Sequence, residues 1–231
     1  MIRTHAFNTA WWGNPVGIVD NPDFFSLPKA TQSFHLEEFA WVEFKAPLDS
    51  VDLAAVHGAG FVQVDTQVRF RLGLRRLPEF SSTDGLQAVF ANDELFQVTG
   101  DQMANFGAER FSFLPGADAA RIRERYALWS ASLIEDNPKH CVQIRDGSGV
   151  QGWFLAAERG GSIDLTLAML HRNAGASGFL VYLSALRAYA DRGARLGSAA
   201  FSITNTPVHN IYAALHARFV STSGCWFWTH R

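Results

Sequence analysis

Apolar positions in this chain switch between two periods, and the switch points mark out its elements. Leu165, Leu167, Ala168, Met169 and Leu170 predict an apolar strand, Arg172-Asn-Ala-Gly-Ala-Ser-Gly178 a loop of small residues, and Phe179 to about Arg192 a long helix. Without side chains in the way, backbone N–H groups at the start of a helix converge on an anion, where the helix dipole adds roughly half a positive charge. The loop is therefore a candidate anion site, and a coenzyme pyrophosphate is the guest it suggests.

The rest of the chain follows the same two periods. Trp11-Trp12-Gly13 and Pro15-Val-Gly-Ile-Val19 predict a turn running into a short strand within Phe7 to Asp20. A short helix is expected near Pro28 to Ser33, and a buried strand over Phe39 to Phe44, closed by Pro47. Asp49, Ser50 and Asp52 are N-cap candidates for a helix through Leu53 and Val56 that ends at Gly58 or Gly60. Alternation from Phe61 to Leu74 marks a long strand, so this part reads as a small β-α-β-α-β unit. Arg75 to Gly85 has no periodicity, which places a junction there between a domain of residues 1–80 and one of residues 81–231.

Beyond the junction, Leu86 to Ala91 predicts a strand, and Asp93 to about Ala104 a helix carrying Leu95, Phe96, Val98 and Met103. Ile122, Tyr126, Leu128, Trp129 and Leu133 fall at helical spacing within Ala117 to Ile134. Cys141 to Arg145 and Val150 to Glu158 form a hairpin across Asp146-Gly-Ser-Gly149, and a second turn, Arg159-Gly-Gly161, feeds the strand before the loop. Leu196 to Ile203 reads as strand, Asn205 to Ala217 as helix and Phe219 to Thr229 as strands. The fold class is α/β (α+β).

Composition narrows the partners. The chain has 231 residues, enough to bury roughly 70% of its unfolded surface. A formal charge of −2 gives no basic field for nucleic acid and no polybasic segment for an anionic membrane. Cys141 and Cys225 are too few for a disulfide framework and lack zinc spacing, so no metal is expected. No apolar run reaches the span of about 20 residues that crosses a bilayer, and a soluble cytoplasmic protein is the expectation.

The order strand, helix, helix, three strands, small-residue loop, helix, strand, Asn-initiated helix and terminal strand resembles the GNAT acetyltransferases. Their Arg/Gln-x-x-Gly-x-Gly/Ala loop binds the pyrophosphate of acetyl-CoA, and Arg172-x-x-Gly175-x-Ser177 and Asn173-x-x-Ala176-x-Gly178 are competing registers for it. Trp11-Trp12-Gly13, Gly60-Phe-Val-Gln-Val-Asp65, the helix ending Ala190-Asp-Arg-Gly193, and Asn205-Thr206 with Tyr212 resemble the TDP-fucosamine (TDP-4-amino-4,6-dideoxygalactose) N-acetyltransferase group. That resemblance implies a truncated GNAT-like first domain, a GNAT second domain with a mixed central sheet, and acetyl transfer from acetyl-CoA to an amine on a nucleotide-linked amino sugar. The acceptor is left open to another small amine or a protein N-terminus, and a homodimer is carried as the assembly.

The same resemblance assigns roles. Tyr212 is the expected general acid, protonating a departing CoA thiolate, and Asp65 is the expected base, directly or through water. Leu170, Arg172, Asn173, Gly175, Ala176, Ser177 and Gly178 are the expected coenzyme contacts, and Asn205 meets the pantetheine arm. Each has a plainer alternative: Tyr212 packing a helix on a sheet, Asp65 a solvated strand-end carboxylate, Asn205 a helix cap. His209, three positions before Tyr212, is an alternative base; His171 is more simply a hydrogen-bonded structural residue, and Trp11-Trp12 aromatic core.

Overall fold

A computed structural model describes residues 1–79, 85–104 and 109–230. Ten strands and six α-helices occur among them: β1 (Ile2–Thr4), α1 (Ala6–Trp12), β2 (Val16–Val19), α2 (Lys29–Leu36), β3 (Trp41–Pro47), α3 (Leu53–Gly58), β4 (Val62–Gly73), β5 (Gln87–Phe90), α4 (Ala119–Asp136), β6 (Cys141–Asp146), β7 (Gly149–Arg159), β8 (Ser162–Leu170), α5 (Gly178–Asp191), β9 (Leu196–Ser202), α6 (Thr206–Ala214) and β10 (Arg218–Thr229). Contacts group the chain into two compact units. The first is Met1–Val68, Phe113–Gly116 and Ser221–Arg231; the second is Arg69–Ser112 and Ala117–Val220. A domain boundary between residues 80 and 81 remains a proposal, and residues 80–84 of the expected junction lie outside the described residues.

In the first unit the strand order is β1-β2-β3-β10, with β2 and β3 parallel and the other two pairs antiparallel. Its core is Phe24, Phe25, Phe44, Phe61 and Trp226 packed with Val19, Leu36, Val42 and Val56. Burying each such side chain stabilises by about 1.5–3 kcal/mol. Gly224 is required here, because a Cβ on it would stand 2.1 Å from the Trp226 ring. α3 starts as its sequence demands, with the Asp52 carboxylate accepting from Ala55 N–H at 3.1 Å.

One expectation for this unit is corrected. The segment read as a turn before β2 holds α1, capped by His5, which accepts from Asn8 N–H, and ended by Gly13 at φ +79°. Seven residues are too few to display a period, and histidine is not among the usual caps, so this helix is hidden in the letters. Trp11, 6% exposed, and Trp12 stack edge-on at 5.3 Å, and Trp12 meets Trp41 at 6.1 Å; both are core packing.

In the second unit, which β4 enters from Arg69 onward, the order is β4-β9-β8-β7-β6-β5, antiparallel from β8 through β5 and parallel between β8 and β9. α4 forms where its periodicity predicts, capped by Asp118, and buries Ile122, Tyr126, Ser130 and Ile134 at four-residue spacing, while Leu128 of the expected apolar set is exposed. α5 buries Val181, Tyr182, Leu183, Leu186 and Tyr189. The helix expected over Asp93 to Ala104 is not formed, and the segment runs as turns. Leu95 points outward at 76% exposure, so no apolar stripe exists, while Val98 and Met103 are buried. Its backbone groups serve the next segment: Ala104 N–H donates to Leu170, Gln102 accepts from Arg172 N–H, and Met103 bridges His171. Among the described residues no helix is long and apolar enough to cross a membrane.

Candidate active site

β8 treats its two neighbours differently. It pairs with β7 from Arg159↔Ser162 to Gly152↔Leu170, but with β9, among the described residues, only at Ile163↔Gly197 and Asp164↔Ser198. The parting has a local cause. Register with β7 shifts between Ala157↔Asp164 and Leu155↔Leu167, so Leu165 and Thr166 stand opposite Ala156 alone. Such a bulge bends its strand, terminates pairing, and recurs beside functional sites. It also reverses the faces, and Ile163 and Leu165 before it join the same core as Ala168 and Leu170 after it.

β8 and β9 leave off pairing after Asp164↔Ser198, toward their C-terminal ends, where the small-residue loop and the start of α5 follow β8 and the start of α6 follows β9. Parting parallel strands with helix N-termini at their carboxyl ends is where open α/β sheets place ligands. The loop itself is largely self-satisfied. His171 N–H donates to Gln151 O at 2.9 Å, Arg172 N–H to Gln102 O at 2.8 Å, Asn173 N–H to His171 Nδ1 at 3.1 Å and Ala174 N–H to His171 O at 2.9 Å. Gly175 and Ala176 N–H both donate to Gln151 Oε1, at 2.9 and 3.0 Å. The amides that follow, from Ser177 and Gly178, begin α5, and the first N–H groups of a helix have no acceptor within it. Beside Gly175 a Cβ would meet nothing within 4 Å, whereas beside Gly178 it would lie 3.4 Å from Leu170 and 3.7 Å from Ile211. Open space thus borders the loop at Gly175, while a Cβ at Gly178 would make ordinary contact with Leu170 of β8 and Ile211 of α6.

Arg172 is exposed and, with Arg123, Asp101 and Glu124, lines a recess of about 680 Å³ beside Gly100–Ala104. The Thr99 hydroxyl is the main group holding the Asp101 carboxyl below the usual carboxylate range, with smaller help from Arg172 and His171. The His171 ring lies 5.7 Å from Trp153. Asn205 caps α6, its Oδ1 accepting from Val208 N–H at 3.4 Å.

Tyr212 lies in the last turn of α6, 3% exposed. Its ring is 4.0 Å from Phe70, 5.6 Å from Tyr182 and 5.8 Å from Phe201. Burial, and then the neighbouring Tyr182 and Tyr189, push its phenol well above 10. His209 is half-buried, its ring 4.8 Å from Phe219. The second unit thus brings together Leu170, the loop from Arg172 to Gly178, Asn205, His209 and Tyr212, whereas Asp65 is half-buried on β4 within the first unit. Among the described residues no three His, Cys, Asp or Glu side chains gather as a metal site. Sequence reading missed Gln151 and the bulges that shape the site, because neither a mid-strand glutamine nor a register shift leaves a local pattern.

No family model matches the chain, and no curated protein matches it. Solved structures do. A GCN5-related N-acetyltransferase from Sphaerobacter thermophilus superposes with a TM-score of 0.54 at 14% identity over 81% of this chain and 59% of that one. A tandem GNAT protein from the clavulanic acid biosynthesis pathway gives 0.54 at 13% identity over 94% and 75%. A GCN5-related N-acetyltransferase from Kribbella flavida gives 0.56 at 13% identity over 94% and 82%. The chain spans 59% of the length of the first of these. It has the fold of the GCN5-related N-acetyltransferases, with the mixed sheet expected from its sequence.

Proposed function

We propose that the chain is an acetyl-CoA-dependent N-acetyltransferase whose coenzyme lies in the second unit. The carrying observation is the parting of β8 from β9 at the bulge, with the starts of α5 and α6 at its open end. A pantetheine arm is extended and amide-bearing, so the unpaired edges of β8 and β9 suit it, and the pyrophosphate falls to the start of α5. The amine lone pair adds to the thioester carbonyl carbon and forms the C–N bond. Collapse of the adduct breaks the C–S bond, a base takes the ammonium proton, and an acid protonates the CoA thiolate. Tyr212 is proposed as that acid and Asp65 as that base, with His209 the alternative within the second unit.

For the acceptor, the sequence resemblance supplies the amine of a nucleotide-linked amino sugar; another small amine or a protein N-terminus is the alternative. Incubation with acetyl-CoA and an acceptor panel, read by thiol release and mass spectrometry, tests the proposal. Acetylation of an amino-sugar nucleotide is expected, acetylation of a different amine moves the acceptor assignment, and no thiol release with any amine refutes transfer. A specific observation favours a second reading, a non-catalytic acyl-CoA-binding module. A phenol sealed among rings and raised well above 10 is a poor proton donor to a thiolate whose acid has a pKa of about 8.5. Coenzyme binding without turnover would select it.

A further inference from the structure

We propose that Gln151 is the positioning residue of the coenzyme loop, withdrawing the amides of Gly175 and Ala176 from the anion so that it is received at the start of α5; this rests on the acetyl-CoA reading above. Register between β6 and β7 shifts from Ile144↔Gly152 to Arg145↔Val150, which leaves Gln151 as an extra residue with no partner on β6. Its backbone carbonyl continues the β7–β8 ladder past Gly152↔Leu170, accepting from His171 N–H at 2.9 Å, and its side chain, on a residue 1% exposed, enters the loop. One oxygen, Oε1, takes both Gly175 and Ala176 N–H. Two successive amides converging on one oxygen form the concavity in which anion oxygens otherwise sit.

The glutamine is held at its other end as well. Nε2 donates to Asp146 Oδ1 at 3.0 Å, Ser148 Oγ at 3.0 Å and Gly149 O at 3.4 Å. Asp146 also accepts from the Ser148 amide and hydroxyl, which hold its carboxyl below the usual range and ionised at neutral pH. A carboxylate only accepts, so it fixes the amide with nitrogen toward the hairpin turn and oxygen toward the loop. Anchored at both ends and buried, the oxygen is not displaced by an arriving phosphate. Gln151 therefore sets the point at which the loop stops bonding to itself and the helix start becomes available to a ligand.

The test combines acetyl-CoA affinity with amide exchange at Gly175 and Ala176. Gln151→Leu keeps the volume and removes the hydrogen bonds. It should weaken acetyl-CoA binding about tenfold, raise KM in step with little change in kcat, and strip protection from both amides, since part-buried donors left without their acceptor destabilise the loop. Gln151→Glu sets two carboxylates face to face and should lose the same affinity; adding Asp146→Asn restores a donor opposite the new acceptor and should recover it. Equal or tighter binding by Gln151→Leu overturns the proposal, as does failure of the double variant to recover. Should Gln151→Leu not fold, Asp146→Ala on the exposed turn unseats the same amide, and unchanged affinity there counts against the proposal. If the wild-type protein binds no acetyl-CoA, the coenzyme reading falls separately, and unchanged protection of Gly175 and Ala176 in Gln151→Leu overturns the positioning role by itself.

Discussion

Both units are held by aromatic packing, but the rings differ in kind. The first unit packs phenylalanine and tryptophan, from Phe24 and Phe25 to Trp226, with Phe25 and Phe44 centred 4.7 Å apart. All four tyrosines of the chain, Tyr126, Tyr182, Tyr189 and Tyr212, belong to the second unit. There Tyr189 donates to a backbone carbonyl, either His140 O at 2.8 Å or Phe154 O at 2.9 Å, while the Tyr212 ring clusters with Phe70 and Phe201. A core of phenylalanine and tryptophan rings carries no hydroxyl; a core with buried hydroxyls carries protons that can be held or moved. The second unit also breaks its own sheet, at β8 and β9, where the first keeps β3 and β10 paired from Trp41↔Thr229 to Pro47↔Ser223. Chemistry is expected where the regular solution was given up.

The largest effect is expected at Tyr212. Tyr212→Phe preserves the ring stacking and removes the hydroxyl, and steady-state kinetics should show turnover lower by about 10²- to 10⁴-fold with acetyl-CoA affinity little changed. Unchanged turnover would remove the acid assignment and reduce Tyr212 to packing. Next come matched core truncations. Phe44→Ala in the first unit and Phe70→Ala in the second, both buried, should each cost about 3–5 kcal/mol in urea unfolding. Below the melting range, Phe70→Ala should also lower kcat, since its ring lies 4.0 Å from Tyr212, and Phe44→Ala should not. Equal losses of activity would erase the contrast between the cores.

A smaller effect is expected from alkali. Burial pushes the Cys141 thiol from 9.0 up to about 11 and raises Tyr126, Tyr182, Tyr189 and Tyr212, so the folded second unit keeps protons that the unfolded chain releases. Stability from these groups is fully present below about pH 9 and falls as pH rises from there through about 11 and beyond. Amide exchange followed over that window should show the second unit opening before the first. Simultaneous opening would contradict the weight placed on the second unit's four tyrosines and Cys141 over the first unit's single buried thiol, Cys225. Least of all, Asn205→Ala should cost about 1 kcal/mol as a lost helix cap. Asn205→Asp restores the cap, so a raised KM for acetyl-CoA that persists in it would report a pantetheine contact, and a return to wild-type KM would leave Asn205 a cap alone.

What could be read from the letters depended on length and locality. β8 and α5 show their burial in their own spacing, and Asp52 and Asn205 announce the helices they cap. α1 lacks both signals. The segment from Asp93 to Ala104 carries a helical pattern of apolar letters, yet its backbone is committed to His171 and Arg172, a bond between stretches some seventy positions apart that no window detects. The site divides along the same line. The loop, Asn205 and Tyr212 were visible as local motifs, whereas the bulge at Leu165–Thr166 and the reach of Gln151 to amides 24 and 25 positions away exist only once strands are paired.

The central claim is that acetyl-CoA occupies the opening between β8 and β9, and amide NMR during an acetyl-CoA titration tests it most directly. The account predicts saturable shifts on Thr166 to Leu170, on Ser177 and Gly178, and on Ala199 to Ser202, with Gly175 and Ala176 staying protected by Gln151. Shifts confined to other parts of the chain, or none at millimolar acetyl-CoA, would contradict it.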